Sequence, residues 1–291
     1  MTDPNAAPAI DPVMEAAFVS DQRRARWPTT IAGFEAASAE VTRLPGFTAD
    51  IAYGAHPRQC FDRFAPVAAP RGLLFYLHPG YWQMRDRTLF RCLMPVFAEM
   101  GLDVATVGYP LCPEASVAEL TEAVRAAVPA LVADMRARHG RDLPIIAAGH
   151  SAGGHLAVEV ALTDWSGRGL TPTTISAVVA LSGVYDLEPL VPTSLNAALR
   201  LDPASARSAS PIHRVGARGC PALFAVGGDE TAAFVEQNRR MAEVWRAAGH
   251  EAWALECPGD DHFSLITRLM ERGSPLHAAA ADLVDRACPA G

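Results

Sequence analysis

Ser151 stands in the middle of Gly149-His150-Ser151-Ala152-Gly153. An apolar run, Leu143-Pro144-Ile145-Ile146-Ala147-Ala148, precedes it, and a helix-forming stretch from His155 to Leu162 follows. A serine hydroxyl carried on a sharp turn between strand and helix is suited to nucleophilic attack on an acyl carbonyl. The turn has to be strained so that the hydroxyl stands clear of the backbone. The residues two before and two after must be small, or strand and helix collide through their Cβ atoms. Gly149 and Gly153 fill those two places.

Serine is a weak nucleophile until a base takes its proton, and the base needs an acid to hold it. Where a G-x-S-x-G turn carries the nucleophile, the partners follow in the order Ser, Asp or Glu, His. Two loops beyond Ser151 meet that order. Gly227-Gly228-Asp229-Glu230 comes directly after an apolar run ending at Val226, and Gly259-Asp260-Asp261-His262 follows one ending at Cys257. His262 is the predicted base. Asp229 is the predicted acid, because it directly follows the double glycine; Glu230 and Asp261 are the alternatives. His213 and His277 follow no strand, and His250 begins one, so these three read as surface or packing residues. His150 neighbours the nucleophile and reads as packing, its side chain pointing away from that of Ser151.

Acyl transfer also needs donors for the oxyanion. One is the backbone N–H after the nucleophile, at Ala152, and others come from the loop after an earlier strand. His78-Pro79-Gly80-Tyr81-Trp82 occupies that loop. Pro79 has no N–H, so the donors fall to Gly80 and Tyr81. His78, Tyr81, Trp82 and Phe263 are the expected substrate contacts, with Tyr81 and Trp82 offering a flat aromatic wall.

The elements that must position these residues can be read from the same chain. Short apolar runs alternate with longer helical patterns, which predicts βαβ units and a mostly parallel sheet with helices on both faces. The predicted strands are Gly72–Leu77, Val104–Tyr109, Pro144–Ala148, Ile175–Leu181, Ala222–Val226 and Ala252–Cys257. Phe47 to Ala65 adds one or two antiparallel edge strands. Helical patterns lie at Arg85–Met100, Ser116–His139, Ser151–Thr163, Ala232–Ala248 and Pro275–Arg286, with Gly101, Gly140 and Gly249 at three helix ends. Two stretches interrupt the rhythm. Residues 1–44 form an N-terminal extension with a helix at Thr30–Val41. Residues 187–219 form a cap-like insertion with a short helix at Ser194–Leu201. Long excursions of this kind commonly cover a site.

Bulk properties narrow the function classes. At 291 residues the chain reads as a single enzyme-sized domain. Its net charge of −7 offers nucleic acid no basic footprint. No apolar run approaches the ~20 residues a membrane span requires. Met1 to Glu15 has no basic start followed by an apolar block, which predicts a cytoplasmic protein. The six cysteines lack C-x-x-C pairing and read as reduced, small apolar residues.

His78-Pro79-Gly80-Tyr81-Trp82 resembles the H-G-G-Y-W signature of the kynurenine formamidase (arylformamidase) family of α/β-hydrolases. The nucleophile segment from Gly149 to Leu156, Leu181-Ser182-Gly183-Val184-Tyr185-Asp186-Leu187-Glu188-Pro189, and Tyr53-Gly54 with Pro57-Arg58-Gln59 and Asp62 are similar to that family as well. The resemblance runs from about Arg23 to His262. It implies the α/β-hydrolase fold with a small helical cover, and it maps the family's catalytic residues onto Ser151, Asp229 and His262. Two positions depart from it: Pro79 stands where the family usually has glycine, and Ser264 stands where kynurenine-specific members are expected to carry an acid.

The expected activity is hydrolysis of a small acyl ester or an N-formyl or aryl amide through an acyl-enzyme, with no metal and no organic cofactor. The alternatives are a true kynurenine formamidase of tryptophan degradation and a non-catalytic binding protein on the same fold. A small-molecule substrate is the expected partner, without nucleic acid or membrane, and the reading is compatible with a homodimer.

Overall fold

The apolar runs fold as strands of one sheet. The computed structural model describes residues 9–66 and 68–289; the first eight residues of the N-terminal extension fall outside them. Among the described residues the strands are β1 (Phe47–Ala52), β2 (Cys60–Phe64), β3 (Gly72–Leu77), β4 (Leu102–Val107), β5 (Ile145–His150), β6 (Ile175–Leu181), β7 (Ala222–Gly227) and β8 (Ala252–Cys257). Their spatial order is β1-β2-β4-β3-β5-β6-β7-β8. β1 and β2 pair antiparallel, as does β2 with β4, and every other pairing is parallel.

Alternation along β3 divides the interior into two cores. Leu73, Phe75 and Leu77 feed the core under α3 (Val117–His139), α4 (Ala152–Ala161) and α5 (Ala232–Ala247). Leu74 and Tyr76 feed the opposite core, against α1 (Trp27–Val41), α2 (Met94–Glu99), α6 (Ser264–Met270) and α7 (Pro275–Ala287). With both faces covered, the central strands are buried along nearly their whole length and mostly apolar, as expected for parallel strands. This is the α/β-hydrolase arrangement expected above.

Some boundaries moved, for local reasons. The stretch expected as one helix at Arg85–Met100 splits. Asp86 caps a 3-10 turn over Arg87–Leu93, and Pro95 sits at the start of α2. β4 begins at Leu102, two residues early, because Gly101 takes φ 82° and turns the chain straight into the sheet. The helix α6 carries no strong periodic signal and was missed. In the 187–219 insertion the short helix shrinks to Asn196–Leu199, and a second one, Pro203–Ser208, starts from a capping box at Asp202.

Register decides where the site can be. Leu77 pairs with Gly149, His150 with Leu181, and Gly227 with Cys257. The carboxyl ends of β3, β5, β7 and β8 therefore lie along one edge of the sheet, where the loops bearing Gly80, Ser151, Glu230 and His262 emerge.

Candidate active site

Ser151 takes φ 57° and ψ −121° between β5 and α4 and is 2% exposed. The flanking glycines are sterically required. A Cβ on Gly149 would lie 2.1 Å from the Gly153 carbonyl oxygen, and one on Gly153 would lie 1.9 Å from that of Leu77. The Ser151 N–H donates to the Leu181 carbonyl at 2.7 Å, which ties the turn to β6. Its hydroxyl has no hydrogen bond among the described residues and faces a cavity that His262 also lines.

His262 Nδ1 lies 2.6 Å from Glu230 Oε2. The carboxylate beside the predicted base is therefore Glu230, and the expectation that Asp229 pairs with His262 is corrected. The reason lies in the turn after β7. Gly228 N–H donates to Cys257 O at 2.8 Å and Asp229 N–H to Asp260 O at 2.9 Å, an arrangement that turns the Asp229 side chain out to solvent. Glu230 folds back instead. Its N–H donates to Gly227 O at 3.2 Å, while its Oε1 accepts from Gly227 N–H at 2.9 Å and from the Ser182 hydroxyl. Oε2 is left for His262 and for Gln22, whose Nε2 lies 2.5 Å away. The double glycine serves close approach: a Cβ on Gly227 would lie 2.3 Å from Asp260 O.

Asp261 is committed elsewhere. Its Oδ1 accepts from the Phe263 and Ser264 N–H groups, and its Oδ2 from Arg26 Nε at 2.5 Å. Burial pushes its pKa up, but the Ser264 N–H and Arg26 outweigh that and hold it below the usual carboxylate range. Ser264 braces the same turn, accepting from Asp261 N–H at 2.9 Å and donating to Asp260 Oδ1 at 3.0 Å. It does not line the cavity.

The loop after β3 is held in backbone conformations that side-chain-bearing residues rarely adopt: Gly80 has φ 132°, Tyr81 49° and Trp82 58°. Gly80 O accepts from Gln83 N–H at 3.0 Å and Met84 N–H at 3.1 Å. The N–H groups of Gly80 and Tyr81 have no acceptor among the described residues, and Ala152 opens α4 with one of the helix's orphan N–H groups. These are the expected oxyanion donors, and Gly80, Tyr81 and Ser151 all border the cavity.

Of the four expected substrate contacts, Tyr81 and Phe263 line the cavity, while His78 and Trp82 do not reach it. Both work beneath the loop. His78 stacks on Tyr109 with ring centres 4.2 Å apart and donates through Nδ1 to Pro79 O at 2.9 Å. Burial pushes its pKa down to about 4, so it is neutral. Trp82 Nε1 donates to His155 Nδ1 at 3.2 Å, and His155 Nε2 donates to Ala209 O at 2.8 Å. Trp82 thus joins the loop to α4 and to the 187–219 insertion. His150 is buried and packs its ring 4.3 Å from that of His262, in keeping with the packing role expected for it. Burial, and then His262 beside it, keep its pKa well below the ordinary value.

The N-terminal extension covers the site as an excursion of this kind commonly does, but the sequence did not single out the residues that reach the cavity. Phe18, Val19, Gln22 and Trp27 line the cavity, and Leu195 enters it from the insertion. Trp27 meets Phe263 edge-on at 4.6 Å. Their spacing follows no catalytic pattern, so only contact in three dimensions reveals them. Arg23 and Arg85 also border the cavity, and the Arg85 guanidinium lies 4.7 Å over the Phe263 ring. Burial disfavours the Arg85 charge. The cavity holds about 230 Å³, below the ~300–1,000 Å³ common for drug-sized ligands.

A group with metal-ligand chemistry, Asp186, Glu188 and His213, lies outside this cavity. Arg207 and Arg240 already balance its two carboxylates, at 3.1 and 3.5 Å.

Comparison with known proteins agrees with this fold. The family pattern of the α/β-hydrolase fold matches residues 74–265. Kynurenine formamidases of Danio rerio and Drosophila melanogaster are 28% and 27% identical, over 76% and 78% of both chains respectively. The solved structure of a candidate thioesterase from Silicibacter sp. TM1040 superposes with a TM-score of 0.80 at 29% identity, covering 91% of this chain and 97% of that one. Esterase B of Lactobacillus rhamnosis shares the fold, with a TM-score of 0.67 at 20% identity over 90% of this chain and 93% of that one.

Proposed function

The chain belongs to the α/β-hydrolase fold family, and from that premise we propose that it is a serine hydrolase of small acyl esters and aryl or N-formyl amides. The observation that carries the proposal is the Glu230–His262 pair at 2.6 Å, with His262 and the strained Ser151 bordering one small cavity. His262 Nδ1–H donates to Glu230, which leaves Nε2 as the base. As the Ser151 hydroxyl attacks the carbonyl, Nε2 takes its proton, and Glu230 stabilises the imidazolium that forms. The N–H groups of Gly80, Tyr81 and Ala152 receive the oxyanion. His262 then protonates the leaving group, and water repeats the sequence to release the acid from the acyl-enzyme.

A second reading, kynurenine formamidase, draws support from the relatives of that name and from Arg23 and Arg85 at the cavity, which suit the carboxylate of formylkynurenine. Ser264 stands in place of the acid expected in kynurenine-specific members, but it braces the Asp260–Asp261 turn and does not line the cavity, so it does not decide between the readings. One experiment compares kcat/KM for phenyl acetate and N-formylkynurenine under identical conditions, with Ser151→Ala as control and a serine-directed phosphonate as label. Ester hydrolysis at least as fast as formamide hydrolysis, a single adduct on Ser151 and no turnover in the variant are expected. A formylkynurenine value far above that of the ester favours the second reading. Full activity in Ser151→Ala rejects both.

A further inference from the structure

Gln22 lies 208 positions before Glu230 in the chain, yet its side chain ends inside the acid–base pair. It is 3% exposed. Its Oε1 accepts from the Thr231 backbone N–H at 3.0 Å, which fixes the amide's orientation, since a backbone donor demands the oxygen there. The Nε2 group is thereby aimed at Glu230 Oε2, 2.5 Å away, and comes within 3.4 Å of His262 Nδ1. The segment that carries it is pinned on both sides. Thr231 Oγ1 donates to Ala17 O at 2.7 Å, Tyr81 OH donates to Phe18 O, and the Arg24 guanidinium donates to Asp229 O.

We propose that Gln22 is a positioning residue for the reaction: its carboxamide holds the Glu230 carboxylate against His262, so that the N-terminal strap completes the active site. The proposal rests on the serine-hydrolase reading above. Each Glu230 oxygen takes two donors: Gly227 N–H and Ser182 on one, His262 and Gln22 on the other. A carboxylate saturated in this way is fixed in orientation, and its charge is shared between the imidazole and the amide. Removing the amide donor returns more of that charge to the imidazole, strengthens the imidazolium, and makes the base lose its proton at higher pH. The other charged or titratable groups near the pair are His150 at the end of β5, Arg85 and Tyr81 on the loop after β3, Arg23 on the strap, Tyr185 after β6, Cys257 at the end of β8, and Asp260 and Asp261 on the base's own loop. None of these changes in a Gln22 variant.

Two substitutions separate positioning from mere pinning of the strap. Gln22→Glu, in its ionised form, keeps an oxygen for Thr231 N–H but cannot donate to Glu230, and the comparison is made on the alkaline side where it is ionised; Gln22→Met keeps the length and loses both bonds. Both variants are expected to lose roughly tenfold in kcat, the size of one charge-assisted hydrogen bond, with KM within about twofold. In both, the ascending limb of the kcat/KM–pH profile moves to higher pH, further in Gln22→Glu because of its added negative charge. Wild-type kcat and an unmoved pH limb in Gln22→Glu, with only a lowered melting temperature in Gln22→Met, would overturn the role. The wild-type protein is assayed alongside for phenyl acetate turnover and for phosphonate labelling of Ser151. If it shows neither, the serine-hydrolase reading has failed, whatever the variants do.

Discussion

Glu230 and Asp229 are adjacent in sequence but face opposite ways, so paired substitutions separate their roles. Glu230→Gln keeps the shape but cannot stabilise an imidazolium, and a neutral amide beside His262 no longer enforces the correct tautomer. A loss of about 10⁴-fold in kcat is expected, by analogy with the acid-to-amide change in other triads. Asp229→Asn touches only solvent and should leave kcat within about twofold. The reverse ranking, measured by steady-state kinetics on one ester, would reinstate Asp229 as the acid.

The loop after β3 shows how one element is built for a reaction. His78 and Trp82 brace it from below, and Gly80 lets it close on itself at φ 132°. An added Cβ at Gly80 would lie 2.0 Å from the Met84 carbonyl oxygen. Backbone cannot yield there without moving the Gly80 and Tyr81 N–H groups. Gly80→Ala is therefore expected to cost roughly 10²–10³-fold in kcat, the loss typical of a displaced oxyanion donor. Its circular dichroism should remain native, since Gly80 lies beyond the end of β3 and takes part in no strand pairing. Unchanged kcat would remove this loop from the oxyanion site.

On the scale of the whole molecule, buried histidines couple stability to pH. Burial holds His78 at about 4, below the 6.5 of a free imidazole, and lowers His150 and His155 in the same direction. These depressed groups are neutral when folded and take up protons when unfolded. Their stabilisation is full above pH 6.5 and is lost as pH falls from there towards 4. His78 alone accounts for about 3 kcal/mol across that window, at 1.36 kcal/mol per unit. Urea unfolding measured from pH 7.5 to 4.5 should show that decline, and the His78 ring resonances should not titrate above pH 5. A flat stability curve between pH 6.5 and 5 would contradict the burial of neutral imidazoles.

Local pattern alone was enough for the strands and most of the helices in chain order, the turn at Ser151 and the loops bearing Gly80 and His262. Each rests on neighbours in sequence: apolar period, glycines two residues either side of the serine, a proline that removes one donor from the loop. The kynurenine formamidase resemblance reinforced the same residues but carried Asp229 with them. Tertiary structure alone decided that the acid is placed as Glu230, because the Gly227–Gly228 turn is closed by carbonyls of the neighbouring strand and loop, Cys257 and Asp260. It also decided that His78 and Trp82 support the loop instead of facing substrate, and that Gln22 and Trp27 reach the cavity from a strap more than 120 residues before Ser151. Side-chain direction at a turn and contact across such separations depend on packing partners that no local window contains.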